Sequence, residues 1–343
     1  MCRKTAVLVL FGVLAGSFGI FPVFAGGRRN AAPAPQEVVI WTYDSFSSEW
    51  GPGPQAAVEF REKTGINIRW VTHTDAGELL ARLLQEGAEA RADIVLGLDQ
   101  NLAPRALASG LLESYRPAGA EGIRPELIVD PGWSLVPYDY GYFAFVYDSE
   151  ALSRVPANLE ELTEPYYAGK IILSDPRTSS PGLGFFGWVR SIYGEGWRDY
   201  WRRLSPSILT IAEGWSSAYG LFTNGEAPLV LSYTTSPAYH LEYEGTERYR
   251  AAIFGEGHPL QVELMGLLRG AGNRENAKTF LDYALSPAFQ TLIPLGNSMY
   301  PAIDIPLPDS FRIAPRSDKP LLAEPIGEGD LDEWAEILRE AGH

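Results

Sequence analysis

From Val38 onward the chain alternates short apolar, β-rich runs with helical patterns, and this alternation constrains the fold more than any single motif. VVIWTY (38–43) is followed by PGPQAAVEFREKTG (52–65), where a proline start and a Gly65 stop delimit a helix. INIRWVTH (66–73) is a second strand, and DAGELLARLLQEG (75–87) a helix with Asp75 as its N-cap. ADIVLGLD (92–99) then gives a third strand before the helical NLAPRALASGLL (101–112). Strands and helices joined this tightly predict a parallel α/β sheet, whose ligands gather at the carboxyl ends of its strands. Those ends carry Tyr43-Asp44-Ser45, His73-Thr74-Asp75 and Asp99-Gln100-Asn101. Ordinary capping explains one polar strand end; three together point to a cleft.

A second unit of the same kind follows. SLVPYDYGYFAFVYD (134–148) is extended, aromatic and interrupted by proline and glycine, as a segment crossing between lobes would be. Strands at 168–176, 207–214 and 227–233 then alternate with helices at 182–205 and 216–226. VELMGLLRG, a helix at 273–293 and an amphipathic closing helix at 330–343 complete the chain. The expected architecture is two α/β lobes joined by extended crossovers: residues 38–138 with 255–343 as the first lobe, and 139–254 as the second.

The first 25 residues differ from the rest. Arg3 and Lys4 precede an apolar stretch, and Val23-Phe24-Ala25 supplies the small residues of a signal-peptidase site. A retained anchor is the competing reading, but glycines and a proline break the run, and residues 26–37 follow as a flexible linker. Cleavage removes Cys2, the single cysteine, and leaves a mature chain without a thiol, disulfide or cysteine-based metal site. The net charge of −15 argues against nucleic acid, which demands basic patches, and favours cationic or neutral ligands. Solubility alone also accounts for that charge.

Three stretches carry recognisable chemistry. SDPRTSSPGLG (174–184) leaves a strand and enters a helix through hydroxyls, a cradle for a phosphate or hydroxyl, although ordinary capping by Ser179 or Ser180 uses the same residues. EGWSSAYG (213–220) sets Trp215 at a strand-to-helix turn, with Ser216 or Ser217 as the cap. LVLSYTTSPAYH (229–240) ends a buried strand in Tyr233, Thr234, Thr235 and Ser236, and so resembles one wall of a pocket. Trp215 and Tyr233 can face a ring, with Asp44, Asp75 or Asp99 balancing a positive charge. Catalytic signatures are missing: no Gly-x-Ser-x-Gly, no His-Glu-x-x-His, and four histidines without ligand spacing. His73 and His240 are candidates to meet across the cleft, though capping or solvated roles are the commoner fate. Tyr233 and Tyr239 are the candidates for a tyrosine-based iron site.

Taken in order, WTYDSFSSEWGPGP (41–54), ADIVLGLDQN (92–101), PYDYGYFAFVYD (137–148), DPRTSSPGLG (175–184), GWSSAYG (214–220), LVLSYTTSPAYH (229–240), LSPAFQ (285–290) and NSMYP (297–301) resemble the periplasmic thiamine-binding family of extracellular solute-binding proteins. The likeness spans residues 38–302; the tail resembles the family only in its helical character. It implies the two-lobed periplasmic-binding-protein (type II) fold, with two mixed sheets flanked by helices and a ligand cleft between the lobes. It further implies a monomeric carrier for thiamine or its phosphates, delivering to the permease and ATPase of an ABC importer, with no catalytic residues, no metal and no cofactor. Ligand contacts are implied at Asp75, Ala76, Ser179, Ser180, Trp215, Tyr233, Thr234, Thr235 and Ser236, with Tyr43 and Asp44 added from the first strand end. Three positions depart from the family pattern: Ala76 where Gly is expected, Ser180 for Thr, and Ser298 for a Trp. Trp41, Trp50 and Tyr43 are the aromatics at hand to replace the missing ring.

Overall fold

The computed structural model describes residues 36–317, 319–321, 326–327 and 329–343. The expected signal peptide and the linker as far as residue 35 lie outside them. The first unit contains β1 (Glu37–Tyr43), α1 (Asp44–Ser47), α2 (Gly53–Thr64), β2 (Asn67–His73), α3 (Ala76–Glu86), β3 (Ile94–Asp99), α4 (Ala103–Ala108) and the short β4 (Leu112–Glu113). β1 lies parallel to both β2 and β3, as the alternation predicts. Buried on both faces, β1 and β3 read in sequence as continuous apolar runs. α3 turns Leu79, Leu80 and Leu83 inward, which seats it against the sheet.

β5 (Val136–Asp148) links the two halves of the molecule. Its first part, through Tyr142, pairs with β10 (His258–Leu268), which in turn pairs with β3. From Phe143 to Tyr147 it pairs instead with β8 (Leu229–Tyr233). One strand therefore belongs to both sheets, as its aromatic and glycine-broken sequence suggested. The second sheet adds β6 (Ile171–Ser174) and β7 (Ile208–Ala212), parallel to each other, and β9 (Tyr249–Ala252) on β5. The pairing order is β2-β1-β3-β10-β5-β8-β6-β7; β11 (Tyr300–Pro301) also pairs with β5, and β12 (Pro320–Leu321) with β10.

Two expected long helices are divided. The stretch 182–205 forms α5 (Ser180–Tyr193) and α6 (Trp197–Leu204), separated where Gly194-Glu195-Gly196 stops the first helix. After α7 (Trp215–Thr223) and α8 (Ser236–Glu244), the stretch 273–293 forms α9 (Arg274–Ala284), α10 (Pro287–Gln290) and the start of α11 (Ile293–Gly296). Ser286 caps α10 by accepting from the Phe289 amide, and Pro287 cannot continue the preceding helix. Among the described residues no helix is long and apolar enough to cross a membrane.

The closing helix, α12 (Asp330–Ala341), packs on α6, not on the first lobe where residues 255–343 were expected. Trp334 meets Trp201 edge to face at 5.7 Å, and Arg190 and Arg198 pair with Asp330 and Glu333. Trp188, Trp197 and Trp201 are fully buried, so much of the aromatic content serves this helical layer and not the cleft. Trp334→Ala should lower unfolding stability by about 3 kcal/mol, measured by urea denaturation. A loss below about 1 kcal/mol would show that α12 contributes little to the lobe it covers.

Candidate functional site

Strand ends from both sheets converge on one crevice, and a single carboxylate joins its sides. Asp75 ends the β2–α3 connection and caps its own helix: Oδ1 accepts from the Ala76 amide at 2.7 Å. The same oxygen accepts from the Ser180 amide at the start of α5 at 3.2 Å, and Oδ2 from the Trp215 amide at the start of α7 at 3.1 Å. Three positive helix ends thus share one buried acid. Burial pushes its pKa up, and the amide hydrogen bonds oppose that shift. Its neighbour Gly77 permits the close approach: a Cβ there would stand 2.4 Å from the Thr178 carbonyl oxygen, which accepts from the Glu78 amide.

A second contact joins the same two sides. Ser216 Oγ donates to Asp44 Oδ1 at 2.7 Å, so Ser216 reaches across the crevice instead of capping α7; Asp75 takes the cap's role there. Burial also raises the Asp44 pKa, against the hydrogen bond from Ser216. Tyr43, at the end of β1, lies over Gly97 of β3, where any side chain would collide with its ring, and its hydroxyl donates to Glu263 Oε2 at 2.7 Å.

On the opposite side Tyr233 stacks on Phe143 at 5.3 Å and donates to Gln261 Oε1 at 3.0 Å. Trp215 Nε1 donates to Ser232 Oγ at 2.8 Å, and its ring stacks on Tyr219 at 4.9 Å. Tyr43, Asp44, Asp75, Ser180, Trp215 and Tyr233 therefore line one space. Five other expected residues do not line it. Ala76 contributes its amide to Asp75, and Ser179 stands at the N-cap of α5. Thr234 and Thr235 are fully buried, with hydroxyls that find no hydrogen-bond partner. Ser236 bonds Ser232 Oγ at 2.8 Å and lines an adjoining cavity.

Trp50, Glu263, Asn297, Ser298 and Met299 also line the space. Trp50 stands beside Ser298 there, 6.2 Å from Trp215, and so supplies an aromatic face next to the position where the family tryptophan was expected. Trp41 is buried against His73 instead. The expected phosphate cradle at Ser179 and Ser180 already gives the Ser180 amide to Asp75, and the Ser180 hydroxyl, which lines the crevice, also points to Asp75 Oδ1 at 3.5 Å.

Other candidates are accounted for elsewhere. Asp99 is a buried cap that accepts from the Asn101 and Leu102 amides; burial pushes its pKa up to about 6. His73 packs on Trp41, while His240 bonds Tyr219 and Glu244, so the two do not meet. Tyr233 and Tyr239 line different cavities, and among the described residues no group of three His, Cys, Asp or Glu could hold a metal.

The inner space measures about 40 Å³, room for about three waters. The adjoining cavity, about 400 Å³, shares Trp50, Trp215 and Ser298 with it and adds Tyr219 and Tyr239. The inner space is therefore smaller than an aromatic ring, and β5 runs through both of the sheets that flank it.

The profile of the bacterial extracellular solute-binding protein family matches residues 90–322. The chain is 46% identical over 315 residues to a thiamine-binding periplasmic protein of Brucella abortus, covering 90% of this chain and 92% of that one. It is 44% identical over 278 residues to the protein of that name in Escherichia coli, covering 80% and 83%. A solved periplasmic thiamin binding protein superposes with a TM-score of 0.84 at 40% identity, covering 90% of this chain and 98% of its own. Iron-bound HitA from Pseudomonas aeruginosa, 21% identical with a TM-score of 0.73 and coverages of 90% and 100%, shares the fold alone. The two sheets, the strand common to them and the crevice they enclose are thus those of a two-lobed periplasmic-binding fold, and the chain belongs to the bacterial extracellular solute-binding protein family.

Proposed function

We propose that this protein captures thiamine between its two lobes in the periplasm and hands it to the permease and ATPase of an ABC importer. The observation that carries this reading is the make-up of the crevice. Trp50, Trp215 and Tyr233 offer aromatic faces beside the carboxyls of Asp44, Asp75 and Glu263, and among the described residues no Lys, Arg or His lines it. Thiamine joins a permanently cationic thiazolium to a neutral aminopyrimidine. Each aromatic face contributes about 0.5–2 kcal/mol to a cation through its quadrupole, and nearby acids balance the charge. The names of the 44–46% identical relatives support the same ligand and compartment.

The lobes are taken as 38–138 with 255–329, and 139–254 with the closing helix. Ligand favours the closed pair by bridging both sides, and the permease reads that closure. The Ser180 hydroxyl exchanges its long contact with Asp75 for the hydroxyethyl end of the vitamin or for a phosphate on it. The protein acts as a monomer and needs no cofactor. It returns its ligand unchanged: mass spectrometry after incubation should recover thiamine intact, whereas a cleavage product would assign an enzyme.

Calorimetry with thiamine, thiamine phosphate, spermidine and ferric ion separates the carrier specificities. Heat with thiamine is expected; no thiamine heat, together with binding of spermidine or iron, contradicts the proposal. Trp215→Ala and Tyr233→Ala should each weaken thiamine binding at least about tenfold, or about 1.4 kcal/mol, without change in circular dichroism. Wild-type affinity in both would place the ligand elsewhere. Asp75→Asn removes the charge that faces α5 and α7, so it should enlarge the radius of gyration in small-angle scattering as well as weaken binding. An unchanged radius would mean that other contacts hold the lobes together.

A further inference from the structure

Beneath the aromatic walls, three adjacent strands place three acids side by side. Glu263 of β10 stands opposite Asp99 of β3 on one flank and Asp139 of β5 on the other. Residues directly opposite in antiparallel strands share a face, so the three carboxyls form one row, and like charges so placed repel. All are buried, and among the described residues none takes part in an ion pair. Asp99 is satisfied by backbone amides, as described above. Asp139 receives Asn297 Nδ2 on Oδ2 at 2.7 Å, while its Oδ1 is buried without a partner. Only Glu263 of the three lines the crevice. Its Oε2 accepts from Tyr43 at 2.7 Å and from Tyr138, and its Oε1 accepts from Gln261 Nε2 at 3.1 Å.

With no basic side chain among the described residues lining the crevice, this row has two ways to approach neutrality: protons, or a cation brought in by ligand. We infer that Glu263 carries a proton in part of the ligand-free protein and releases it to solvent when a cationic ligand enters, so that it is the residue selecting a charged ring over a neutral one. The groups facing Glu263 act in the same sense. Tyr43 of β1, Tyr138 and Asp139 of β5 and Tyr233 of β8 are neutral or acidic, as are Asp99 of β3 and Asp75 at the start of α3. Burial is the largest cause and pushes Glu263 up to about 7, against the hydrogen bonds from Tyr138 and Tyr43 and assisted by Asp99 and Asp75. A bound cation stabilises the ionised carboxylate and lowers that value. The complex then holds fewer protons than the free protein, so affinity rises with pH up to the free value and levels off above it.

The inference rests on reading the crevice as a thiamine site, and the test separates the two. Calorimetry of thiamine binding near pH 7, in buffers of different ionisation enthalpy, should show proton release of a sizeable fraction of one per site. The dissociation constant should fall several-fold between about pH 6 and about pH 8. In Glu263→Gln the release should vanish, and the loss of affinity should be about tenfold or more near pH 8 and much smaller near pH 6. Neutral hydroxyethyl-thiazole should bind wild type and variant alike. If Glu263→Gln does not fold, Asp99→Asn serves: relieving the like-charge neighbour opposite Glu263 should move the wild-type pH profile to lower pH. Thiamine binding without proton release, equal release in Glu263→Gln, or an unmoved Asp99→Asn profile overturns the inference and leaves the carrier intact. No thiamine binding at any pH overturns the carrier proposal itself.

Discussion

The fold's functional geometry depends on the Asp75 carboxylate. One acid accepts from the first turns of α3, α5 and α7, elements that come from both sides of the crevice. Helix N-termini are anion sites because their first amides lack partners and their dipoles point the same way. Here the anion is the protein's own. That arrangement closes the lobes over a space too small for a ring, and it brings Trp215 and Ser180 up to Tyr43 and Asp44. Closure thereby assembles aromatic and acidic walls that neither sheet holds alone.

Much of this was legible in the sequence. β1 and β3 are buried on both faces and announce themselves as apolar runs, so the strand ends that follow were in view. Asp75 was readable as a cap because the capping interaction is local. That it also holds α5 and α7 was not, since those partners lie 105 and 140 positions away. The hydroxyl cluster after β8 was correctly placed near the pocket but only partly in it. Tyr233, the last residue of β8, faces the crevice, whereas Thr234 and Thr235 form the buried turn into α8.

Glu263 was missed, although the sequence carried a signal for it. VELMGLL places one acid inside an otherwise apolar, buried run of β10, and a charge in such a run needs a reason. The closing helix misled for a different cause. Its amphipathic pattern shows that it packs but not against what, and only Trp334 on Trp201 settles the surface. Residue patterns report which face is buried; the choice of partner is a property of the assembled lobes.

The account treats the crevice as an aromatic and acidic trap that excludes basic side chains because its ligand supplies the positive charge. A crystal structure of the protein grown with thiamine tests this most directly. The vitamin should lie enclosed between the lobes, against Trp215 and Tyr233, with its cationic ring toward the acids of the crevice floor. A closed crevice without the vitamin, or one filled by a metal ion held on tyrosines, would contradict it.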